Sequence, residues 1–251
     1  MTKKGASETT TRKRADVLLV ERGLFESRAR ARAAIDAGFV IANDRQVLKA
    51  SEIIAADTVL RAQPAHPWVS RGGVKLAGAL EQYPIEIEDH ICLDVGASTG
   101  GFTEVLLAHG ASLVFAIDVG RGQLHPSLRG HPNIASMEAT DIRSLEGKRL
   151  PARPDVVVID VSFISLKTVL PVALSLAAAP MHLLALIKPQ FEAERKHAKH
   201  GIIRNAMVHQ QICDDVTAFA ASLGCTEIQV FPSSIKGGDG NIEFFLGARR
   251  G

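Results

Sequence analysis

The chain has 251 residues, 46% of them hydrophobic and 22% charged, the make-up of an ordinary soluble protein with room for one full α/β domain and a smaller companion. Its three cysteines, Cys92, Cys213 and Cys225, lack any paired spacing, which excludes a cysteine-built metal or disulfide framework and fits free thiols in a reducing compartment. The formal charge of +2 hides an asymmetry: residues 1–65 hold 12 Lys/Arg against 8 Asp/Glu, whereas residues 66–251 hold 17 against 19. A basic N-terminal part suits an anionic partner, although a solvated basic face accounts for the charge alone equally well.

Residues 1–14 are polar, carry Lys3, Lys4, Arg12, Lys13 and Arg14, and are expected to be a disordered basic tail. No apolar segment of the secretory type follows Met1, so a cytoplasmic location is expected. Residues 15–62 read as a small domain. A first helix over Ala15–Arg22 ends at Gly23, and Ser27 caps a second over Arg28–Ala37, which ends at Gly38. Strands are expected over Phe39–Ala42 and Thr58–Arg61, joined through Asn43-Asp44. Arg28 and Arg32 share one helical flank while Arg30 points nearly the opposite way, and arginines grip phosphates bidentately. The proline-rich stretch 63–69 marks a linker, with Trp68 either a contact between domains or a docked hydrophobe.

Residues 70–251 alternate strand and helix patterns, which predicts a doubly wound, mostly parallel seven-stranded sheet. A helix is expected from Lys75 towards Gln82, then a buried strand over Ile91–Val95 that runs into Gly96-Ala97-Ser98-Thr99-Gly100-Gly101 and a helix starting at Phe102. Glycines allow a sharp turn and close approach to a ligand, and a helix start offers unpaired N–H groups. The spacing matches neither a dinucleotide fingerprint nor a P-loop, because Ser98 and Phe102 occupy the deciding positions. Instead, Asp94 precedes the turn, and Asp118 closes the next apolar run at a place suited to both ribose hydroxyls of an adenosine. This arrangement resembles the S-adenosylmethionine site of Rossmann-like methyltransferases. By that resemblance Asp94, Gly96, Ala97, Ser98, Gly100, Gly101, Phe102, Asp118, Val119 and Asp160 would hold the cofactor, with Asp141 meeting the adenine amino group.

Further strands are expected over Ile134–Met137, 155–160 and 183–187, then near 227–231 and 242–246, with helices from Ser165 to Ala179 and from Ala206 to Leu223. The apolar run Val169–Ile187 has the length of a membrane span, but Pro171, Ser175, Pro180 and His182 break it into a buried helix, a turn and a buried strand. Lys75, Asp160, Lys188 and Glu243 each sit at an element end or beside a turn-rich stretch, and parallel strand tips converge on one crevice. Taken singly, each is as easily a helix cap or a solvated charge.

Two resemblances give these residues roles. The run from Ala15 to Val40 is similar to the small RNA-binding module named after a ribosomal protein of the small subunit. It implies RNA contacts at Arg14, Arg28, Arg30 and Arg32, and Arg71 is added from the start of the larger domain. The segments V-S-R-G-G-V-K-L, D-V-G-A-S-T-G-G-F-T, V-V-I-D-V-S-F-I-S-L, A-L-I-K-P-Q-F-E and I-K-G-G-D-G-N-I-E-F-F-L resemble the TlyA (haemolysin A) family of ribosomal RNA methyltransferases, with FtsJ-like catalytic domains. The resemblance implies a Lys-Asp-Lys-Glu tetrad at Lys75, Asp160, Lys188 and Glu243, S-adenosylmethionine as cofactor, and 2′-O-methylation of a ribose, with cytidine the expected nucleoside. The expected partner is ribosomal RNA within subunits or late precursors, with no membrane, no metal and no obligate protein partner. The loop running from Ala193 through Glu194 to His200 departs from a more glycine-rich family pattern, and Arg121, Pro126 and Ala139 depart on the adenine side. An assembly factor that only binds the cofactor, and the cytolysin of the family name, are the competing readings.

Overall fold

The computed structural model describes residues 11–145, 150–193 and 201–251. Most of the expected tail and the Glu194–His200 part of the expected RNA loop lie outside them. The chain divides into two compact units, Met1–Pro67 and Trp68–Gly251.

In the smaller unit, β1 (Arg12–Arg14) pairs antiparallel with β4 (Ile53–Ala55), so the end of the expected tail is an ordered strand. Its backbone groups are satisfied by that partner strand, a pairing 40 residues distant that no local pattern announces. Helices α1 (Ala15–Glu21) and α2 (Arg28–Asp36) follow, and the Ser27 hydroxyl accepts from the Arg30 N–H at 3.3 Å as a cap. The Asn43-Asp44 turn, with φ of 46° and 64°, joins β2 (Val40–Ala42) to β3 (Arg45–Gln46), not to the more distant strand expected. Two consecutive positive φ values are what a two-residue hairpin requires. β5 (Leu60–Ala62) instead flanks β2 on its other side. Leu18, Leu19, Phe25, Ala31, Ile35, Val40 and Ile54 form this unit's own core.

In the larger unit, α3 (Arg71–Gln82) starts four residues before the expected Lys75. Gly72 and Gly73 lower helix propensity, but they let α3 lie close to α4 (Gly101–Ala108) and Trp68. A Cβ on Gly73 would meet the Trp68 side chain, and one on Gly101 would overlap the Ser70 hydroxyl. The sheet is built from β6 (Ile91–Val95), β7 (Leu113–Ile117), β8 (Ile134–Met137), β9 (Val156–Ile159), β10 (Met181–Ile187), β11 (Thr226–Pro232) and β12 (Phe244–Arg250). Its order is β11-β12-β10-β9-β6-β7-β8, and β12 runs antiparallel to both neighbours. The apolar strands are covered on both faces, as parallel sheets require. Cys92, Val114, Val156 and Val158 pack with α3 and α4, while Leu93, Phe115, Val157 and Ile159 pack with α5 (Leu166–Leu176) and with α7 (Ala206–Ser222), which follows the short α6 (Pro189–Glu192). The long apolar run resolves into α5 and β10, with the helix ending at Leu176 and the strand starting at Met181. Among the described residues no helix is long and apolar enough to cross a membrane.

Candidate active site

The C-terminal tips of β6, β7, β8 and β9 open onto one cavity of about 460 Å³. Of the expected cofactor residues, Gly96, Ser98, Asp118, Val119, Asp141 and Asp160 line it. Gly96 has φ of 88°, and a Cβ there would overlap the Asp160 carbonyl oxygen, so β6 and β9 meet closely beneath the cavity floor. Asp118 accepts from the Ser98 N–H at 2.8 Å and from the Gly120 N–H at 2.7 Å. It thus ties the turn after β6 to the loop after β7. Asp141 is less free than expected for an adenine contact, because the Arg143 guanidinium spans both carboxylate oxygens, at 3.0 and 2.5 Å. That pair holds its carboxyl below the usual range.

Five expected cofactor residues are turned to packing and do not line the cavity. Gly100 and Gly101 sit where a Cβ would overlap Leu128 and Ser70, and Phe102 is buried with its ring 6.2 Å from that of Phe245. Ala97 is buried as well. Asp94 is wholly buried, and its Oδ2 accepts the Thr103 hydroxyl at 2.6 Å. Desolvation, with the Asp160 and Asp118 charges adding to it, pushes the Asp94 carboxyl up to about 7. These five residues shape the turn and its packing: Gly100 lies under Leu124 and Leu128, and Gly101 against Ser70 and the start of α3.

The four residues expected to form a tetrad make two ion pairs. Lys75 donates to Glu243 at 2.6 Å, and both side chains are buried. Lys188 Nζ lies 2.6 Å from Asp160 Oδ1 and donates to the Ser162 hydroxyl at 2.8 Å. Asp160 and Ser162 themselves line the cavity, so Lys188 is brought to its edge. The last register pair of β10 and β12 is Ile187↔Phe244, which places Lys188 and Glu243 side by side at the sheet end. The two pairs are therefore neighbours through the antiparallel β12, whose direction the alternating pattern did not predict. Next to them Phe163, 90% exposed with φ of 66°, lines the cavity and has its ring 4.9 Å from that of Phe191.

Sequence reasoning missed several side chains that shape this site. Glu138, at the tip of β8, accepts from the N–H groups of Gly122, Gln123 and Leu124 at 2.7, 2.8 and 3.1 Å. Arg129 donates to the carbonyls of Leu124 and Gly122 at 2.7 and 2.9 Å. The logic that selected Asp118, an acid at a strand tip beside a glycine-rich loop, applies equally to Glu138.

In the smaller unit a separate groove of about 600 Å³ is lined by Arg14, Arg28, Arg32 and Lys49 with Asp16, Asp36 and Ser51. Buried Asp16 accepts from Arg14 at 2.9 Å and from Arg28 at 2.7 Å, and these guanidiniums lower its carboxyl to about 2. Arg32 lies 3.5 Å from Asp36. Arg30 does not line this groove, and Arg71, in the larger unit, donates to the Lys236 carbonyl. Lys49 was not anticipated from sequence.

Comparison with known proteins fits this geometry. The family model described as FtsJ-like methyltransferase matches residues 68–250. A Bacillus subtilis protein named as an rRNA methyltransferase, YqxC, is 43% identical over 244 residues, which cover 95% of this chain and 86% of that protein. The Mycobacterium tuberculosis protein named 16S/23S rRNA (cytidine-2′-O)-methyltransferase TlyA is 41% identical over 241 residues, 95% of this chain and 90% of its own. A solved structure from Streptococcus thermophilus, described as a haemolysin, has 39% identity and a TM-score of 0.72, covering 96% of this chain and 90% of that one.

Proposed function

The chain belongs to the FtsJ-like methyltransferase family, with the TlyA proteins among its relatives, and on that footing we propose that it methylates a ribose 2′-hydroxyl in ribosomal RNA. The observation that carries this reading is the joining of Lys188 and Asp160 at 2.6 Å on the cavity edge, with the buried Lys75–Glu243 pair at the adjoining strand end.

A volume of about 460 Å³ falls within the range of small-molecule pockets, and the polar groups that line it suit an adenosine with a charged tail. Asp118 retains lone pairs for ribose hydroxyls beside its two backbone partners, and Val119 offers an apolar surface to the base. S-adenosylmethionine, when bound, supplies an electrophilic methyl group. Lys188, once its ammonium has released one proton to water, takes the proton of the 2′-hydroxyl at Nζ. Asp160 and Ser162 hold that amine in place from the two sides, at 2.6 and 2.8 Å. Lys75, fixed by Glu243, supplies positive potential to the oxygen as it becomes an alkoxide. Proton transfer by a positioned base is worth about 10²–10⁴ in rate, and positioning of the two reactants adds a further large factor.

The groove of the smaller unit supports RNA as the substrate. Arg14 and Arg28 are splayed from one buried carboxylate, and with Arg32 and Lys49 they present cations on one face, suited to phosphate contacts that position an RNA without reading its sequence. Cytidine is the expected nucleoside, in assembled subunits or late precursors. The test is transfer of labelled methyl from S-adenosylmethionine to purified small and large subunits from a strain lacking the gene, beside Lys188→Ala. Labelling by the unaltered protein alone, at a ribose resistant to alkaline cleavage, is expected. Binding of the cofactor without labelling of either subunit or of naked ribosomal RNA would replace this reading with that of an assembly factor.

A further inference from the structure

The loop after β7 is unusual in how its backbone is held. Gly120 to Leu124 forms one wall near the cavity, with Val119 and Gln123 among the lining residues, yet the segment is neither helix nor strand. A loop of this kind ordinarily leaves its N–H groups to water and samples several conformations. Here four of its five N–H groups and two of its carbonyls are claimed by charged side chains. Glu138 Oε2 accepts from Gly122, and Oε1 from Gln123 and Leu124. Arg129 Nε and Nη2 take the carbonyls of Leu124 and Gly122 from the other direction. Asp118 takes the Gly120 N–H, and Ala139 donates to the Gly120 carbonyl at 2.7 Å.

This clamp is linked to the turn after β6. Gln123, held through its N–H by Glu138, accepts from the Ser98 hydroxyl at 3.1 Å, and the Ser98 N–H in turn is bound by Asp118. Glu138 and Asp118 stand at the tips of neighbouring strands, one residue beyond the register pair Ile117↔Met137. The two carboxylates therefore divide the work: Asp118 faces the ligand side, and Glu138 anchors the loop that Asp118 alone cannot span. Charge-assisted hydrogen bonds of this kind are stronger than neutral ones. Three of them converging on one carboxylate fix the positions of consecutive peptide planes.

We infer that Glu138 and Arg129 are positioning residues for the adenosine half of the cofactor: they preorganise the 119–124 loop so that its ordering does not have to accompany binding. Neither side chain lines the cavity. Their effect passes through Val119 and Gln123, and it belongs to binding of the cofactor and not to the methyl-transfer step. This inference rests on the cofactor reading given above.

The experiment is calorimetric titration of the full-length protein with S-adenosylhomocysteine and with 5′-methylthioadenosine, a ligand that keeps the adenosine and lacks the amino-acid end. Glu138→Gln keeps the shape and one acceptor oxygen but loses the charge, and Arg129→Met removes the opposing half of the clamp. Each is expected to raise Kd for both ligands by about tenfold, the equivalent of one lost charge-assisted contact. The double variant should cost less than the product of the two, because both act on one loop. In steady state the KM for S-adenosylmethionine should rise while kcat at saturation stays within about twofold, a split that a general loss of structure would not produce. Thermal unfolding of the ligand-free variants checks that they are folded, and a variant that fails this check is replaced by Gln123→Ala, which cuts the link to Ser98 and should raise Kd in the same direction. Folded variants with unchanged Kd for both ligands would overturn the inference while leaving the cofactor reading intact. No binding of S-adenosylhomocysteine to the unaltered protein would overturn the cofactor reading itself, and the inference with it.

Discussion

Replacing Asp94 by asparagine should remove a decline in stability between pH 4 and pH 7. The Asp94 carboxyl is wholly buried at the end of β6, its Oδ2 accepts the Thr103 hydroxyl at 2.6 Å, and its Oδ1 has no hydrogen-bond partner among the described residues. Desolvation is the largest cause that raises it from an ordinary 3.8 to about 7, the charges of Asp160 and Asp118 push the same way, and the Thr103 bond opposes them. In the unfolded chain the group ionises near its ordinary value. Between the two values, the unfolded state has therefore released a proton that the folded state keeps. Stability is undiminished below about pH 4, falls as pH rises towards 7, and carries the full penalty above it. At about 1.4 kcal/mol per pH unit, the span amounts to something on the order of 4 kcal/mol. Asparagine keeps an acceptor for Thr103 and has no proton to lose. Near pH 8 the variant should be more stable by roughly 2–4 kcal/mol, and near pH 4 the two proteins should agree within about 1 kcal/mol. Urea unfolding at pH 4, 6 and 8, followed by fluorescence of Trp68, the chain's one tryptophan, measures the difference in the larger unit. A difference of the same size at every pH would refute the claim that the buried carboxyl is held neutral.

Three further outcomes are expected. Lys75→Ala should destabilise the larger unit by about 3–5 kcal/mol, because it strands Glu243 in the interior, whereas Lys75→Ala combined with Glu243→Ala should recover part of the loss; thermal unfolding of the two variants decides. Asp16→Asn should cost the smaller unit about 1–2 kcal/mol at pH 7, after allowance for its solvent-exposed arginine partners. Since the folded carboxyl sits at about 2, that contribution is present above the ordinary carboxylate range and is lost as pH falls through 2, so acid titration of unfolding should bring the two proteins together. Arg28→Ala with Arg32→Ala should weaken RNA binding and lower the slope of log K against log salt by about 2, and a filter-binding series from 50 to 200 mM salt with an unchanged slope would remove the groove from RNA recognition.

Where a strand or helix carried its own signal, the sequence sufficed to find it. Ile91–Val95 and Val156–Ile159 are short apolar runs that end in an acid or a glycine turn, and they form the central strands of the sheet. Ser27 and the two glycines after the early helices bounded those helices locally. Misreadings came where a distant partner supplied the stabilisation. Arg12–Arg14 is polar and aperiodic, yet it pairs with Ile53–Ala55. Gly72 and Gly73 precede the helix start expected at Lys75, yet they lie in α3, where a Cβ on Gly73 would meet Trp68.

The sequence alone determined the alternation of strands and helices in the larger unit, the acids at its strand tips, and which of its lysines and acids stand at element ends, since each depends on neighbours within a few residues. Only the tertiary structure decided which of these residues share a space. The reversed direction of β12 sets Glu243 beside Lys188 and within reach of Lys75, although 168 residues separate Lys75 from Glu243. Close packing of β6, α3 and α4 turned Asp94, Gly101 and Phe102 from the cavity to the interior, and Leu124 and Leu128 close over Gly100. Glu138 and Arg129 took hold of a loop that their own sequence neighbourhood does not point to. The physical reason is the same in each case: local propensity and periodicity specify what a segment can be, while hydrogen bonds and contacts between distant segments specify what its side chains meet.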